Sequence, residues 1–561
     1  MNPAIINAVW RTACAPSAAL FARALHQVEE VQRRKLAAIL RRNRNTRYGL
    51  RYGFQNIRTV EDYQTRVPLV SYEELTPFVS AVAEGEPDVL TPGLPMLFEP
   101  TSGSMSASKL IPYTRALKTE FQAAIAPWIF DLLQHHPAVR RGRAYWSISP
   151  RTDRPRQTPG GISIGFDEDG AYLHPLLRHL LPQVMAVPGD VARITDRDAF
   201  RYVTLAFLLR CHDLALVSVW NPTYLSLLIA PLRNWGDRLA ADLSTGTLSP
   251  PGGTPPELLS ILSRQLEPHP RRAREVSRHL EQASGDADLH HRLWPNLTCI
   301  SCWADATARG PAEALHRIFP QAIIAPKGLL STEGVVSIPM SGCSAPALAV
   351  RSHFFEFVET SPPGRVFTTW QLRTGIEYSI VLTTGGGLYR YRTHDIVRVT
   401  GYLAGCPLLE FLGRGNRVSD LYGEKLHERH VASVLEKLWA GAKWRPGFAV
   451  LVPDGTPEAD HYALFLADES PLPDGILPGL RMQLENELRT NFHYDYCRKI
   501  GQLQEANIQW IPGGSNHAWR TYLQSLPSQN QPLGGIKPFI LISGKEGHKL
   551  GKILRDTSMV L

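Results

Sequence analysis

A layered α/β chain of two domains, the first large and the second small, is what the sequence predicts. Strand-like apolar runs alternate with helical patterns through the middle of the chain, which argues stacked sheets and helices. From 366 to 399 the texture turns antiparallel, with β-rich runs broken at Gly375 and at Gly385-Gly386-Gly387. At 561 residues the chain is also too long for one compact core. The polar, turn-rich stretch 413–424 precedes a fresh strand-and-helix pattern, so the expected domains are 1–417 and 418–561.

The first ten residues lack the charged-then-apolar layout of a signal peptide. Val28, Val31, Leu36, Ile39 and Leu40 then recur at helical spacing and predict a helix that buries one stripe. Its other side and the next turn carry Arg33, Arg34, Lys35, Arg41, Arg42, Arg44 and Arg47. No aromatic residues interleave with them, as a single-strand-binding platform requires, so they read as a solvated face leading into a turn at Asn45. Four runs, 144–149, 215–220, 297–303 and 321–326, read as buried strands between helical patterns. The best candidate for a membrane span, 202–209, stops at Arg210, well short of the roughly 20 apolar residues a bilayer needs. A Pro- and Gly-rich break at 249–256 reads as a surface loop before an added helix. No internal repeat is visible.

Hydrophobic residues make up 43% and charged residues 20%, which excludes a disordered chain, a collagen-like repeat and a charge-dense coiled coil. Lys and Arg total 60 against 52 Asp and Glu, a net +8 that permits anionic small ligands without demanding nucleic acid. Seven cysteines build no disulfide framework, and Cys299 and Cys302 read as small core residues of a strand rather than a zinc pair. A reducing cytoplasm fits this usage. Arg, Ala and Pro usage is that of a GC-rich bacterial genome, which by composition alone favours specialised metabolism over hormone control.

Four segments carry chemistry. In Thr101-Ser102-Gly103-Ser104-Met105-Ser106-Ala107-Ser108-Lys109, small hydroxyl residues around a glycine free backbone N–H groups to meet phosphate oxygens, and the lysine adds charge. It lacks the Gly-Lys-Ser/Thr ending of a Walker loop, and alone it reads equally as an ordinary loop. Lys327-Gly328-Leu329-Leu330-Ser331-Thr332-Glu333-Gly334 follows an expected strand, at the carboxyl end where open α/β sheets bind ligands. A hydroxyl beside a carboxylate suits a phosphate oxygen and Mg²⁺; the plainer reading is a capped turn. In Tyr389-Arg390-Tyr391-Arg392-Thr393-His394-Asp395 the arginines and tyrosines alternate across a strand, and Asp395 suits a ribose diol. Two lysines follow glycines near the C-terminus, Lys537 before Pro538 and Lys552 after Gly551; either could neutralise charge at a nucleotide's α-phosphate or simply face solvent.

In this order the four segments resemble those of the acyl-acid amido synthetases of the auxin-conjugating family, within the adenylate-forming superfamily. Further similarities lie in Asn45-Thr46-Arg47-Tyr48-Gly49, in 68–75, in Ile300-Ser301-Cys302-Trp303-Ala304-Asp305 and in the hinge-like stretch from Gly413-Arg414 to Lys425. The resemblance implies a large α/β adenylate-forming domain with a small β-barrel-like part, and a smaller α+β C-terminal lid. It implies ATP and Mg²⁺ as cofactors. Thr101, Ser102, Gly103, Ser104, Ser106 and Lys109 would meet phosphates, Gly328, Leu329, Ser331, Thr332 and Glu333 the nucleotide, Tyr391 and Asp395 the ribose, and Arg414 the hinge side. Glu333 would hold the metal, and Lys537, ahead of Lys552, would act in catalysis. Cys302, Trp303 and Ala304 would line the acyl site, beside the aromatic candidates Trp146, Trp220, Tyr224 and Phe355.

The implied reaction joins a carboxylic acid to ATP as an acyl-adenylate with loss of pyrophosphate, after which an amine or amino acid displaces AMP. The implied partners are those small molecules, with no nucleic acid or membrane, in a monomer or homodimer. Two other readings stay open, a thiol acceptor such as coenzyme A and a nucleotide-binding module without catalysis. One departure stands out: His394 occupies the place where the family pattern has glycine.

Overall fold

The computed structural model describes residues 2–101, 109–147, 156–165, 175–415, 417–455, 460–470, 475–525 and 539–557. The four strands expected from the sequence form a single sheet, in the order Arg143–Trp146, Leu214–Ser218, Cys299–Cys302, Ile323–Pro326; the middle two are buried as expected, whereas Ile323–Pro326 is a partly exposed edge strand. The first three are parallel neighbours. Parallel strands are covered on both faces and therefore read as continuous apolar runs, which is why Leu214–Ser218 and Cys299–Cys302 were legible. Both cysteines of the latter are buried strand residues, and burial pushes the Cys299 thiol up to about 12.

The antiparallel texture is a seven-stranded sheet, in the order Val366–Thr368, Phe354–Glu359, Glu377–Thr383, Tyr391–Leu403, Cys406–Arg414, Ala347–Leu348, Ser337–Ile338. A third sheet holds Leu110–Tyr113, Leu97–Pro100, Ser163–Ile164 and Arg156–Gln157. The N-terminal amphipathic helix, Val28–Asn43, buries Val28, Leu36, Ile39 and Leu40. Gln32 is buried with them because its amide donates to the carbonyls of Val350 and His353 (2.8 Å each) and accepts from Phe355 N–H (2.9 Å). Most of its basic face is solvated as expected, Arg33 and Arg34 pairing with Glu29 and Glu30 one turn back, but Lys35 turns inward to stand 3.9 Å from Glu120. Phe355, a candidate for the acyl pocket, is wholly buried in the core of the seven-stranded sheet and is a packing residue.

The chain divides into two compact units, one of Met1–Ser218, Trp235–Ser301 and Gln321–Phe411, the other of Val219–Asn234, Cys302–Pro320 and Leu412–Leu561. In the second unit Phe448–Asp454 pairs antiparallel with His461–Ala467, which pairs parallel with Asn507–Trp510. Leu227 packs into that unit's core beside Phe448, Trp519 and Leu550, and Arg445 reaches both Glu313 (3.4 Å) and Glu436. Packing thus draws two short segments into the second unit that precede it by a long way in sequence. Among the described residues no helix is long and apolar enough to cross a membrane.

Candidate functional site

The first unit gathers three of the four chemistry-bearing segments around the start of one helix, Tyr72–Ala83. Ser71 and Glu74 form the box that caps it, the Ser71 N–H donating to the Glu74 carboxylate at 2.7 Å. Leu97–Pro100 and Leu110–Tyr113 pair antiparallel, and Thr101 N–H donates to the Lys109 carbonyl (2.9 Å), closing the base of the Ser/Gly-rich loop. The Lys109 ammonium stands 5.2 Å over the Tyr72 ring. The Tyr72 hydroxyl donates to the Leu110 carbonyl (3.1 Å) and accepts from its N–H (2.8 Å). Among the described residues the buried Thr101 hydroxyl oxygen has no hydrogen-bond partner. Ser102, Gly103, Ser104 and Ser106 lie outside the described residues.

The second segment is a tight turn after Ile323–Pro326. Leu330 and Val335 pair across it, and Ser331 N–H donates to the Gly334 carbonyl at 3.0 Å. Gly328 takes φ +74°, and a Cβ there would stand 2.4 Å from the Ser337 carbonyl oxygen, so only glycine fits the entry to the turn. Leu329 N–H donates to the Ser337 hydroxyl at 3.0 Å. Glu333, at the tip beside Ser331 and Thr332, is 7% exposed. Burial first, and then the carboxylates of Glu333 and Glu73, push the Tyr72 phenol up, against the pull of its hydrogen bond to Leu110.

The third segment joins the same helix through Val70. Val70 N–H donates to the Arg390 carbonyl (3.0 Å) and Arg392 N–H to the Val70 carbonyl (2.9 Å). Arg390 departs from the expected alternation of a charged outer face. Its φ is +46° and its guanidinium turns inward, forking onto Glu356 at 3.0–3.2 Å and donating to the carbonyls of Gln64 and Val67 at 2.8 Å. Arg392 does face outward. Register runs Val381↔Arg392 and then Ser379↔Ile396, so Thr393, His394 and Asp395 bulge opposite Ile380. One residue of this bulge is left-handed, His394 with φ +63°, a conformation that glycine adopts without strain. The family's glycine at this place therefore has a conformational reason. Asp395 is buried, its N–H donating to the Thr393 hydroxyl at 3.1 Å.

Replacing His394 by glycine relieves roughly 1–2 kcal/mol of left-handed strain but adds about 0.5–1 kcal/mol of backbone entropy to be lost on folding. We expect the urea midpoint of His394→Gly to move little. A midpoint that falls clearly would show that the imidazole itself makes a stabilising contact.

Glu73 marks how closely the segments approach. Its carboxylate is held below the ordinary range first by its own backbone N–H and the Ser71 hydroxyl, then by the positive fields of Lys109 and His394. Neither Tyr72 nor Glu73 was a sequence candidate. The local signals were the family resemblance of 68–75 and the Ser71-x-x-Glu74 capping box, which announces a helix start and not a site.

The remaining candidates are placed elsewhere. Trp146 lies in the first unit, its ring 5.4 Å from Trp10. Trp220 and Trp303 lie in the second, their rings 5.9 Å apart and Trp303 N–H donating to the Trp220 carbonyl (2.9 Å). Tyr224 and Cys302 are buried in that unit, which also holds Ala304. Arg414 ends the strand Cys406–Arg414. Lys552 is exposed on the helix Gly544–Thr557. Gly551 lies inside that helix and not in a turn, and Arg555 and His548 tie the helix to Asp454 and Asp460. Lys537 lies outside the described residues.

Residues 18–324 match the GH3 family N-terminal domain and 347–414 the GH3 family central domain. The chain belongs to the GH3 family. It is 25% identical to indole-3-acetic acid-amido synthetase GH3.3 of Arabidopsis thaliana over 425 residues, 73% of this chain and 71% of that one. It is 23% identical to jasmonoyl--L-amino acid synthetase JAR6 of Nicotiana attenuata over 518 residues, 87% of each. In fold it is similar to the solved structure of AtGH3.15 acyl acid amido synthetase in complex with 2,4-DB, with a TM-score of 0.82, 20% identity, and coverage of 98% of this chain and 96% of that one. This GH3 chain is thus a mixed α/β protein with the fold of that acyl acid amido synthetase.

Proposed function

We propose that this GH3 protein is an ATP-dependent acyl-acid amido synthetase. It activates a small carboxylic acid as the acyl-adenylate, releasing pyrophosphate, and passes the acyl group to an amine or amino acid, releasing AMP. One observation carries the reading: the base of the Ser/Gly loop, the Ser331-Thr332-Glu333 turn and the Tyr391–Asp395 strand, far apart in sequence, meet at the start of Tyr72–Ala83. The names of the GH3 relatives support the same chemistry.

The donor set suits ATP and Mg²⁺. Thr101 presents a hydroxyl without a partner among the described residues at the base of the loop, Lys109 an ammonium, and Glu333 a hard carboxylate oxygen at a strand's carboxyl end. Mg²⁺ is commonly held by one or two carboxylates together with substrate phosphates, so Glu333 would hold it. Bound there it would offset the charge on the phosphates. A carboxylate is a poor electrophile until its oxygen becomes a leaving group, and adenylation supplies one. Lys109 screens phosphate charge, and Asp395 accepts hydrogen bonds from the ribose. The domain bounds we propose from the sequence are 1–417 and 418–561, with Val219–Asn234 and Cys302–Pro320 packed into the second compact unit. Trp220, Tyr224, Cys302, Trp303 and Ala304 are the acyl-site candidates that share one unit, whereas Trp146 lies in the other. The cysteines are free thiols, which suits a reducing cytoplasm.

ATP–pyrophosphate exchange across aryl, indolyl and fatty acids tests the first step. Absence of exchange with every acid refutes it. Amino acids against coenzyme A in the second step separate amide from thioester. Asp395→Ala should raise the KM for ATP more than that for the acid, because a ribose contact is mostly uniform binding; an effect on the acid alone contradicts the assignment. Lys537, which precedes Pro538 and so favours an extended backbone, is the lysine that reaches the α-phosphate. Lys537→Ala should lose exchange by orders of magnitude and Lys552→Ala should stay near wild type. The reverse result means that Lys552 is the catalytic one.

A further inference from the structure

Behind the nucleotide segments lies a buried chain of hydrogen bonds with no counterpart among the residues considered so far. Glu120, on the helix Arg115–His135, accepts at one carboxylate oxygen, Oε2, from Gly385 N–H (2.8 Å) and from the His353 ring at Nδ1 (2.9 Å). The other ring nitrogen, Nε2, accepts from Val335 N–H at 3.0 Å. A backbone N–H can only donate, so Nε2 must carry its lone pair and the ring proton sits on Nδ1. His353 is therefore a neutral imidazole that donates to the carboxylate on one side and accepts on the other. It is fully buried, between the rings of Phe121 (6.1 Å) and Phe355 (5.9 Å). Lys35 stands 3.9 Å from the second Glu120 oxygen, burial lowering its pKa and Glu120 opposing that shift.

The two ends of this chain are the informative part. Val335 is two residues past Glu333, and its carbonyl accepts from the Ser352 hydroxyl at 2.9 Å. Gly334 packs so closely on the ring that a Cβ there would stand 2.7 Å from His353 Nε2. Gly385 opens the glycine run that leads into Tyr391 and Asp395, and its carbonyl accepts from the Thr114 hydroxyl at 2.8 Å. One imidazole and one carboxylate thus set the separation between the turn that presents Glu333 and the strand that presents Asp395.

We propose that Glu120 and His353 are positioning residues of the nucleotide site, holding the metal-side turn and the ribose-side strand in register for ATP. This rests on the functional reading above. Displacement of a reacting group by about 1 Å can cost about 10²-fold in rate, so His353→Ala and Glu120→Ala should lower kcat for ATP–pyrophosphate exchange by roughly 10–100-fold and raise the KM for ATP, with the KM for the acid little changed. Glu120→Gln is the conservative variant. Because both hydrogen bonds fall on the same oxygen, an amide oxygen in that place can accept both, and Glu120→Gln should recover most of the rate lost in Glu120→Ala.

The experiment measures exchange kinetics and ATP binding by calorimetry for each variant at a temperature where circular dichroism shows it folded. Should His353→Ala fail to fold, His353→Asn serves in its place. Its amide can still donate to Glu120 from near the Nδ1 position but cannot reach Val335, and the same loss on the ATP side is expected. Wild-type ATP parameters in a folded His353→Ala or His353→Asn overturn the proposal, as does a Glu120→Gln variant as damaged as Glu120→Ala. If the wild-type protein binds ATP but exchanges with no acid, the amido-synthetase reading falls, and weakened ATP binding in the His353 variants still supports the positioning role. If the wild-type protein does not bind ATP at all, both are overturned.

Discussion

Glu333→Ala is expected to lower ATP–pyrophosphate exchange by roughly 10²–10³-fold, the range seen when a preorganised electrostatic group is removed from a developing charge. Stability should hardly change. The carboxylate is 7% exposed at the tip of a turn whose shape comes from backbone pairing of Leu330 with Val335 and of Ser331 with Gly334. Removing it leaves no hydrogen-bond partner stranded among the described residues. The urea midpoint should therefore match that of the wild type, and the stabilisation that Mg²⁺ adds in the presence of ATP should disappear. Exchange at the wild-type rate would remove this segment from the site.

Glu356→Ala should have the largest effect on stability. Arg390 and Glu356 are both buried and linked by a forked ion pair, with Gln64 donating to the same carboxylate at 3.0 Å. Such a pair adds little relative to an apolar replacement, but breaking it leaves a guanidinium uncompensated in the core, at about 3–5 kcal/mol. The guanidinium also spans from the sheet to the carbonyls of Gln64 and Val67, just ahead of the Tyr72–Ala83 helix, so the loss should appear as a lowered unfolding midpoint with weaker ATP binding. Chemical denaturation followed by tryptophan fluorescence measures it. A change below about 1 kcal/mol, the scale of an exposed pair, would show that the pair is solvated. Replacing both residues together by apolar groups should cost less than replacing Glu356 alone, because no charge is then left unpaired.

Most of the secondary structure was written in short-range pattern. Periodicity placed the helix Val28–Asn43, uninterrupted apolar runs placed the four strands of one sheet, and glycine breaks marked the antiparallel part. Those signals are local because backbone hydrogen bonding and one-sided burial repeat every two or three to four residues. The nucleotide segments were legible for a related reason. A phosphate loop, a hydroxyl–carboxylate turn and a ribose carboxylate each require particular residue types within a few positions. His394 read locally as an anomaly; its φ of +63° and the bulge opposite Ile380 turn it into a conformational requirement met by a residue other than glycine.

By itself, then, the sequence determined the α/β class, the parallel and antiparallel sheets, the family resemblance and the three segments proposed for the nucleotide. Tertiary structure alone decided what holds those segments together. It turned Arg390 inward to Glu356, brought Tyr72 and Glu73 to the meeting point, and drew Val219–Asn234 and Cys302–Pro320 into the second unit. It also joined Glu120 to His353 across 233 residues and to Gly385 across 265. The physical reason is the geometry of the contacts. A carboxylate and an imidazole that meet only after the chain has returned on itself satisfy each other through single hydrogen bonds. Such bonds impose no period on the residues between them and leave no trace in local pattern.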